Sequence, residues 1–123
     1  MKAFDPEPYA RGIRALNERE RAAIARRSAL ARAEAGRLAL AIGLADPGVR
    51  SVRLFGSLAR GEPTRLDFDI DLALEGGDVY AALDAVAGSE FKVDLVQLEL
   101  LPEGAGRAVV SGGVVLYAAE GRP

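Results

Sequence analysis

The sequence predicts an α/β (α+β) fold in which a small mixed β-sheet with flanking helices is preceded by a long N-terminal helical arm. Three observations predict it. Residues 9–44 are rich in Ala, Arg, Leu and Glu, short apolar segments bounded by turn residues follow, and a helical pattern separates the second and third segments. We therefore expect an arm at residues 1–45 and a domain at residues 46–123.

The arm has the pattern of an amphipathic helix. Pro6 and Pro8 precede it, a turn sequence at residues 46–48 follows it, and its apolar residues fall roughly on one stripe. Gly36 or the region of Asn17 is a candidate break into two shorter helices. A single helix would be about 50 Å long, more than a small domain can cover. We therefore expect part of the arm to pack on another chain, either a partner or a second copy.

Strands and helices alternate along the domain. Each predicted strand is rich in apolar residues, and Asp78 is a predicted N-cap for the helix that it opens. The predicted elements are the strand Val49–Phe55, the strand Asp69–Glu75, the helix Asp78–Ala87, the strand Phe91–Gln97, the helix Gly104–Ser111 and the strand Val114–Tyr117.

Composition narrows the chemistry that the chain can perform. Its 123 residues suit one small domain, and 50% of them are hydrophobic, so they can form a single core. Cysteine and histidine are absent from the sequence, which excludes disulfides, zinc sites built on thiolate or imidazole, and catalysis by a histidine base. Carboxylates remain as metal ligands, and they suit hard ions such as Mg²⁺ or Mn²⁺.

Charge is divided unevenly, although the formal net charge is only -2. The arm has a surplus of arginine and the domain a surplus of acidic residues, which predicts a basic helical face beside an acidic site. The N-terminal residues lack the pattern of a secretory signal, and no apolar segment has the length of a membrane span. We therefore expect a cytoplasmic protein without membrane contact.

A glycine and a small hydroxyl residue, Gly56 and Ser57, directly follow the first predicted strand. Such a turn lets backbone N–H groups approach an anion, and the first turn of a following helix adds the positive end of its dipole. An ordinary strand-to-helix turn is the alternative, because a lone Gly-Ser pair has low specificity.

Acidic and apolar residues alternate around the second strand, so Asp67, Asp69 and Asp71 are predicted to share one face. Carboxylates on one face repel one another unless cations hold them, and the strand supplies no lysine or arginine there. Metal binding is therefore preferred over a solvated acidic face. Asp94 interrupts the apolar third strand, where a buried carboxylate is expected to be paired or to bind metal.

In their order, the motifs resemble the signature of the polymerase β-like nucleotidyltransferase superfamily, and more closely that of the minimal nucleotidyltransferases of prokaryotes. The motifs are Leu54–Gly61, Asp69–Leu74, Val93–Val96 and the closing Gly113–Tyr117. The ordered set is far more specific than any one motif. The resemblance implies the polymerase β-like nucleotidyltransferase fold.

The resemblance also implies a nucleotide site and a site for two divalent ions, Mg²⁺ or Mn²⁺. The implied contacts to the triphosphate come from Gly56, Ser57 and Arg60. The implied metal ligands and catalytic residues are Asp69, Asp71 and Asp94, with Asp94 also acting as base. Two departures from the family pattern are Phe68 before Asp69 and a spacer of eleven residues after Ser57. Because of these two departures, Asp67 and Asp69 remain an alternative pair of metal ligands.

Reaction and partner follow from the same resemblance. Minimal nucleotidyltransferases are typically paired with a helical HEPN-type toxin, and family members act as antitoxins by transferring AMP to that partner. The chain has no room for the acceptor domain of larger nucleotidyltransferases. We therefore expect ATP, or another nucleoside triphosphate, and a HEPN-type protein as partners. The basic residues 11–37 could then form the docking face, although an ordinary solvated helix is the commoner interpretation of such charges.

Three other functions stay open. The chain could transfer a nucleotide to a small molecule, against which the missing acceptor domain counts. It could be a steric antitoxin without turnover, against which the intact acid set counts. It could modify RNA through its arginine-rich helix, but that helix lacks interleaved aromatic residues, so a nucleic-acid partner is not expected.

Overall fold

The computed structural model describes residues 3–61 and 63–120. Helices and strands alternate after one long helix, and the fold class predicted from the sequence is confirmed. The elements are α1 (Glu7–Ala45), β1 (Val49–Phe55), α2 (Gly56–Arg60), β2 (Ile70–Gly76), α3 (Val79–Val86), β3 (Val93–Gln97), a turn of 3-10 helix (Leu98–Leu100), α4 (Glu103–Gly112) and β4 (Val114–Ala118).

The sheet has four strands in the order β3-β2-β1-β4. β1 pairs antiparallel with both β2 and β4, whereas β2 and β3 run parallel. A parallel pair needs a crossover connection, which α3 supplies, and the Asp78 side chain caps α3 by accepting from Tyr80 N at 2.9 Å. The sheet is therefore mixed, with β3 and β4 at its edges.

α1 is one continuous helix of 39 residues, so the suggested break near Asn17 or Gly36 was wrong. A Cβ at Gly36 would meet no heavy atom of the described residues within 4 Å, and a helix tolerates a glycine at a cost of about 1 kcal/mol. Pro8 lies in the first turn, where backbone N–H groups have no acceptor within the helix, so the missing N–H of proline costs no hydrogen bond. The helix ends at Ala45, and the carboxylate of the following C-cap residue, Asp46, accepts hydrogen bonds from Gly48 N at 2.9 Å and Asp78 N at 2.7 Å.

The core lies between the C-terminal half of α1 and one face of the sheet. Alanines on α1 allow close approach, and leucine and isoleucine fill the remaining space. The fully buried residues of α1 are Ala31, Ala35, Leu38, Ala39 and Ile42, and those that face them from the sheet include Val52, Ile70 and Leu72. At Gly43 a Cβ would overlap the Tyr117 ring, so the glycine lets β4 lie against the helix.

The N-terminal half of α1 extends beyond this core. None of residues 3–23 is buried, and Phe4, Tyr9, Ile13 and Leu16 are between 55% and 75% exposed. Because the last three are spaced at i, i+4 and i+7, they share one face of the helix. The C-terminal half of α1 shares its core with the sheet, and the boundary between arm and domain at residue 45 stays a prediction. Among the described helices, none has an apolar run that would carry it across a bilayer.

Candidate functional site

The turn after β1 brings the backbone directly against a carboxylate. Phe55 ends β1 and pairs with Asp71 on β2, and the next residue, Gly56, has a φ of +78°. A Cβ at Gly56 would overlap the Asp71 carboxylate. Glycine is therefore required at this position both by the left-handed backbone and by the lack of space.

α2 begins at this turn and positions two further predicted site residues. Leu58 is fully buried and anchors the short helix, which ends at Gly61 with a φ of +73°. Ser57 is half-buried in the first turn, and Arg60 is exposed in the last turn. The structure therefore places a small hydroxyl residue and a cation on the same short helix, next to the glycine turn.

Three aspartates from neighbouring strands form an acidic cluster. Asp71 on β2 pairs directly with Asp94 on the parallel strand β3, and Asp69 immediately precedes β2. One carboxylate oxygen from each residue lies within 4.8 Å of the other two. The structure thus brings together residues that lie on separate strands, and we call Asp69, Asp71 and Asp94 the acidic cluster.

Like charges dominate the electrostatics of the acidic cluster. Burial raises the pKa of the Asp71 carboxyl above its usual value, and the charges of Asp94 and Asp69 raise it further. Arg60 and Lys92 act in the opposite direction. Lys92 Nζ lies 3.6 Å from Asp69 Oδ2, but its side chain is 74% exposed, so solvent weakens the pair. The pKa of Asp71 remains raised despite these two cations, and a bound metal ion would remove the remaining repulsion.

Asp67 lies outside the acidic cluster. The alternation predicted that Asp67, Asp69 and Asp71 share one face of a strand, but β2 begins only at Ile70, so the prediction was wrong for Asp67. Asp67 is exposed in the preceding loop, where both of its carboxylate oxygens accept hydrogen bonds from Arg65 at 3.0 Å. The side-chain hydrogen bond from Arg65 lowers the pKa of Asp67. The Asp67 charge is thus already paired.

The environment of Asp94 also differs from the predicted one. The sequence suggested a carboxylate inside a central strand, but β3 is an edge strand of the sheet, and Asp94 is exposed. Its side chain therefore needs no partner to offset burial. Its position directly opposite Asp71, rather than burial, makes it a candidate site residue.

Lys92 belongs to the site although sequence reasoning did not single it out. Ile70 N donates to the Lys92 carbonyl oxygen at 2.9 Å, which sets Lys92 beside Asp69. The sequence contained a signal for this contact. When the parallel strands are aligned at Asp71 and Asp94, the residue two positions before each aspartate is Asp69 on one strand and Lys92 on the other.

A cleft of about 370 Å³ opens beside the acidic cluster. Its lining includes the hydroxyl residues Ser57 and Thr64 and the carboxylates of Asp69 and Asp71. Small-molecule sites commonly have volumes of about 300–1,000 Å³. Carboxylate oxygens are the hard donors that Mg²⁺ and Mn²⁺ prefer, so the side chains of the acidic cluster fit a divalent metal ion.

The fold is shared with proteins of known structure. The mixed sheet carries a glycine-serine turn after its first strand and an acidic cluster on the next two strands. This is the fold of the minimal nucleotidyltransferases, and structural comparison bears out the resemblance seen in the sequence.

Three solved structures illustrate the likeness. The chain is 24% identical to a chain in a crystal structure of a toxin-antitoxin with AMP-PNP, with a TM-score of 0.56 over 69% of this chain and 74% of that chain. For an MntA-HpeT toxin-antitoxin mutant in which two aspartates are replaced by glutamate, the identity is 19% and the TM-score 0.55, over 70% and 74% of the chains. For a candidate nucleotidyltransferase from Sulfolobus solfataricus, the identity is 21% and the TM-score 0.56, over 80% and 90%. No protein-family model and no curated protein matches the chain.

Proposed function

We propose that the protein is a metal-dependent nucleotidyltransferase that transfers AMP from ATP to a HEPN-type toxin and so acts as its antitoxin. The observation that carries the proposal is the acidic cluster, whose three carboxylates offer oxygens within 4.8 Å of one another beside the Gly56 turn. The fold is shared with a toxin-antitoxin whose crystal structure was determined with AMP-PNP, which supports a nucleotide and a toxin as partners.

In this proposal the triphosphate lies against the turn between β1 and α2. Gly56 has no side chain, so its backbone N–H can approach a phosphate oxygen closely. The Ser57 hydroxyl donates a hydrogen bond to the same group, and Arg60 contacts phosphate from the last turn of α2. The short helix fixes the relative positions of all three residues.

The acidic cluster holds the divalent ions, Mg²⁺ or Mn²⁺, in the proposed reaction. Asp69 and Asp71 would be the main ligands of these ions, and Asp94 would be the third ligand. Two ions bound there supply charge neutralisation at the α-phosphate and at the departing pyrophosphate. An acceptor oxygen forms a bond to the α-phosphorus while the bond to pyrophosphate breaks, and Asp94 accepts the proton of the acceptor. Its exposed position on an edge strand suits this role, since an acceptor on another protein can reach it.

The uncovered half of α1 is the proposed docking surface for the toxin. Tyr9, Ile13 and Leu16 form an apolar stripe, and arginines flank it along the basic residues 11–37. Exposed apolar stripes of this kind commonly mark protein interfaces. The same surface favours a second candidate function, a steric antitoxin that neutralises its partner by binding alone.

Transfer of label from ATP to the partner tests the proposal. The protein, Mg²⁺ and the product of the neighbouring gene are incubated with ATP labelled at the α-phosphate or at the γ-phosphate. AMP transfer predicts label on the partner from the α-position and none from the γ-position. Asp69→Asn combined with Asp71→Asn should abolish transfer, whereas Asp67→Asn, the matched control, should keep most of it.

The same variants separate the candidate functions. If the double variant still labels the partner, the metal ligands are assigned wrongly. If the double variant transfers no label but still neutralises the partner in cells, binding alone is sufficient and the steric function is the right one. Loss of transfer in Asp67→Asn would select the pair of Asp67 and Asp69 instead.

A further inference from the structure

A second cavity, of about 600 Å³, adjoins the cleft at the acidic cluster. The two share Pro63 and Thr64 in their linings, but the second cavity is otherwise lined mainly by α1, including Arg21, Ser28 and Arg32. We call it the Ser28 cavity. It contains none of the acidic cluster and neither residue of the Gly56-Ser57 turn.

Ser28 has a buried polar group that the described residues do not satisfy. The residue is only 4% exposed, and its hydroxyl oxygen has no hydrogen-bond partner among residues 3–61 and 63–120. A buried hydroxyl without a partner destabilises the fold, because it has lost its hydrogen bonds to water. A serine hydroxyl moves between staggered χ1 rotamers, so a ligand in the cavity that offers an acceptor can engage it.

Two arginines give the Ser28 cavity a positive charge. Arg32 Nε donates to the Leu58 carbonyl oxygen at 3.3 Å, which places the guanidinium beside the end of α2. Among residues 3–61 and 63–120, its terminal nitrogens make no hydrogen bond that would compete with a ligand. Arg21 lies on the same helix and is exposed. Guanidinium groups present planar, charged donors that match phosphate oxygens. The charge of the lining therefore selects an anion.

The rest of the lining is apolar. Ile24 is 8% exposed, and Ala25 and Pro63 complete an apolar wall. A volume of about 600 Å³ exceeds what a phosphate ion needs and falls in the usual range for small organic ligands. The cavity thus combines a cationic end, a buried hydroxyl and an apolar surface suited to a ring.

We propose that the Ser28 cavity is a second nucleotide site, which binds a nucleoside phosphate without metal. Its phosphate lies at Arg21 and Arg32, its base or sugar lies against Ile24 and Pro63, and Ser28 donates a hydrogen bond to it. Because Pro63 and Thr64 also line the catalytic cleft, occupancy of this site acts on the loop that leads to Asp69. The site needs no turnover, so it stands whether or not AMP transfer occurs.

Binding of AMP in EDTA tests this proposal. The protein carrying Asp69→Asn and Asp71→Asn is titrated with AMP, and backbone amide shifts are followed by NMR. We expect saturable shifts at residues 21–32, and Arg21→Ala should weaken binding about tenfold through loss of a charged contact. Ser28→Ala should weaken it severalfold while leaving the thermal stability unchanged or raised. Arg26→Ala is the matched control, since Arg26 is exposed on the same helix and does not line the cavity.

Two further probes define the ligand. Inorganic phosphate should bind more weakly than AMP, and equal affinity would overturn the role of the apolar wall. A short 5′-phosphorylated oligoadenylate is the second probe. If it binds more tightly than AMP, the ligand is the phosphorylated end of a nucleic-acid chain. If it binds more weakly, the ligand is the free nucleotide. The proposal is overturned if AMP shifts fall on residues 54–58 instead, or if Arg21→Ala and Arg26→Ala have equal effects.

Discussion

Gly56 and Asp71 are in direct contact, and a φ of +78° turns the Gly56 α-carbon so that any Cβ would overlap the carboxylate. We predict that Gly56→Ala lowers the proposed AMP transfer by about a hundredfold, because an aspartate of the acidic cluster is displaced. The strained left-handed backbone should also reduce the free energy of unfolding by about 1–2 kcal/mol. Labelled transfer and urea denaturation measure the two effects.

Gly61→Ala is the control for that variant. Gly61 has a φ of +73°, but in the part of the chain that the structure describes, a Cβ there would meet only Arg32 Nη2, at 3.8 Å. Gly61→Ala should therefore lose a similar amount of stability and keep most of the transfer activity. If both variants lose activity equally, backbone strain rather than the contact with Asp71 explains the effect.

Gly43 gives a second prediction, this time for stability alone. A Cβ at Gly43 would overlap the Tyr117 ring, so Gly43→Ala should destabilise the fold by about 1–3 kcal/mol through overpacking. Gly36 lies on the same helix, and none of the described residues has a heavy atom within 4 Å of its Cβ position, so Gly36→Ala should instead stabilise the fold by about 1 kcal/mol. Thermal unfolding of both variants checks the opposite signs. Tyr117→Ala should relieve most of the cost of Gly43→Ala, and additive effects of the two changes would contradict the contact.

The sequence predicted the elements well where a pattern was long and local. β1 has the predicted bounds, and Asp78 is the predicted N-cap. The start of β2 was less predictable, since the alternation of acidic and apolar residues continues through Asp67 and Asp69, but backbone pairing with β1 reaches only as far as Asp71. Alternation indicates which residues can share a face, whereas pairing with neighbours decides where a strand begins.

The acidic cluster shows a similar limit. Ordered motifs indicated Asp69, Asp71 and Asp94, but the environment of each depends on strand order. Asp94 is exposed because β3 lies at the edge, and Lys92 approaches Asp69 because β2 and β3 run parallel. Neither relationship can be read from one strand, since contacts between strands depend on which strands are neighbours.

Because the carboxylates of the acidic cluster repel one another, we predict that they lower the free energy of unfolding when no metal ion is bound. Because the pKa of Asp71 is raised by burial and by Asp94 and Asp69, its ionised form is less favourable in the folded than in the unfolded protein. Asp71→Asn should therefore raise the free energy of unfolding by up to about 1 kcal/mol in EDTA. Mg²⁺ should stabilise the unsubstituted protein and have less effect on the variant. A variant that is less stable than the unsubstituted protein in EDTA would contradict this interpretation.

The apolar stripe on α1 predicts a separable docking surface. Ile13→Glu with Leu16→Glu should weaken capture of the proposed partner toxin by at least about tenfold, since apolar anchors at an interface are lost. The fold should be unchanged, because both side chains are more than half exposed. Leu40→Glu, at a position 53% exposed on the same helix, is the control. If size-exclusion chromatography shows that the double variant dissociates a homodimer and still captures the toxin, the stripe binds a second copy instead.

Glu34 connects α1 to the loop that leads into β3. Its carboxylate accepts hydrogen bonds from Arg37 Nε at 2.6 Å and from Ser89 Oγ at 2.6 Å. Close by, Arg27 lies over the Phe91 ring at 4.4 Å. The hydrogen bonds from Arg37 and Ser89 lower the pKa of Glu34 to about 2, against an ordinary value of 4.5. These contacts set the position of the segment from which β3, the strand of Asp94, begins.

The lowered pKa gives a prediction with a defined pH window. Ionised Glu34 stabilises the fold above its unfolded pKa of 4.5, and that contribution is lost as the pH falls from 4.5 toward the folded value of about 2. Glu34→Gln should therefore cost about 1 kcal/mol at pH 7, after allowance for solvent screening, and the difference should close near pH 2. Glu103→Gln removes the exposed pair with Arg107 on α4, and at pH 7 it should have little effect. Denaturant unfolding of the unsubstituted protein and of both variants between pH 7 and pH 2 tests this prediction. If the stability difference between Glu34→Gln and the unsubstituted protein persists unchanged to pH 2, the charge of the carboxylate contributes nothing.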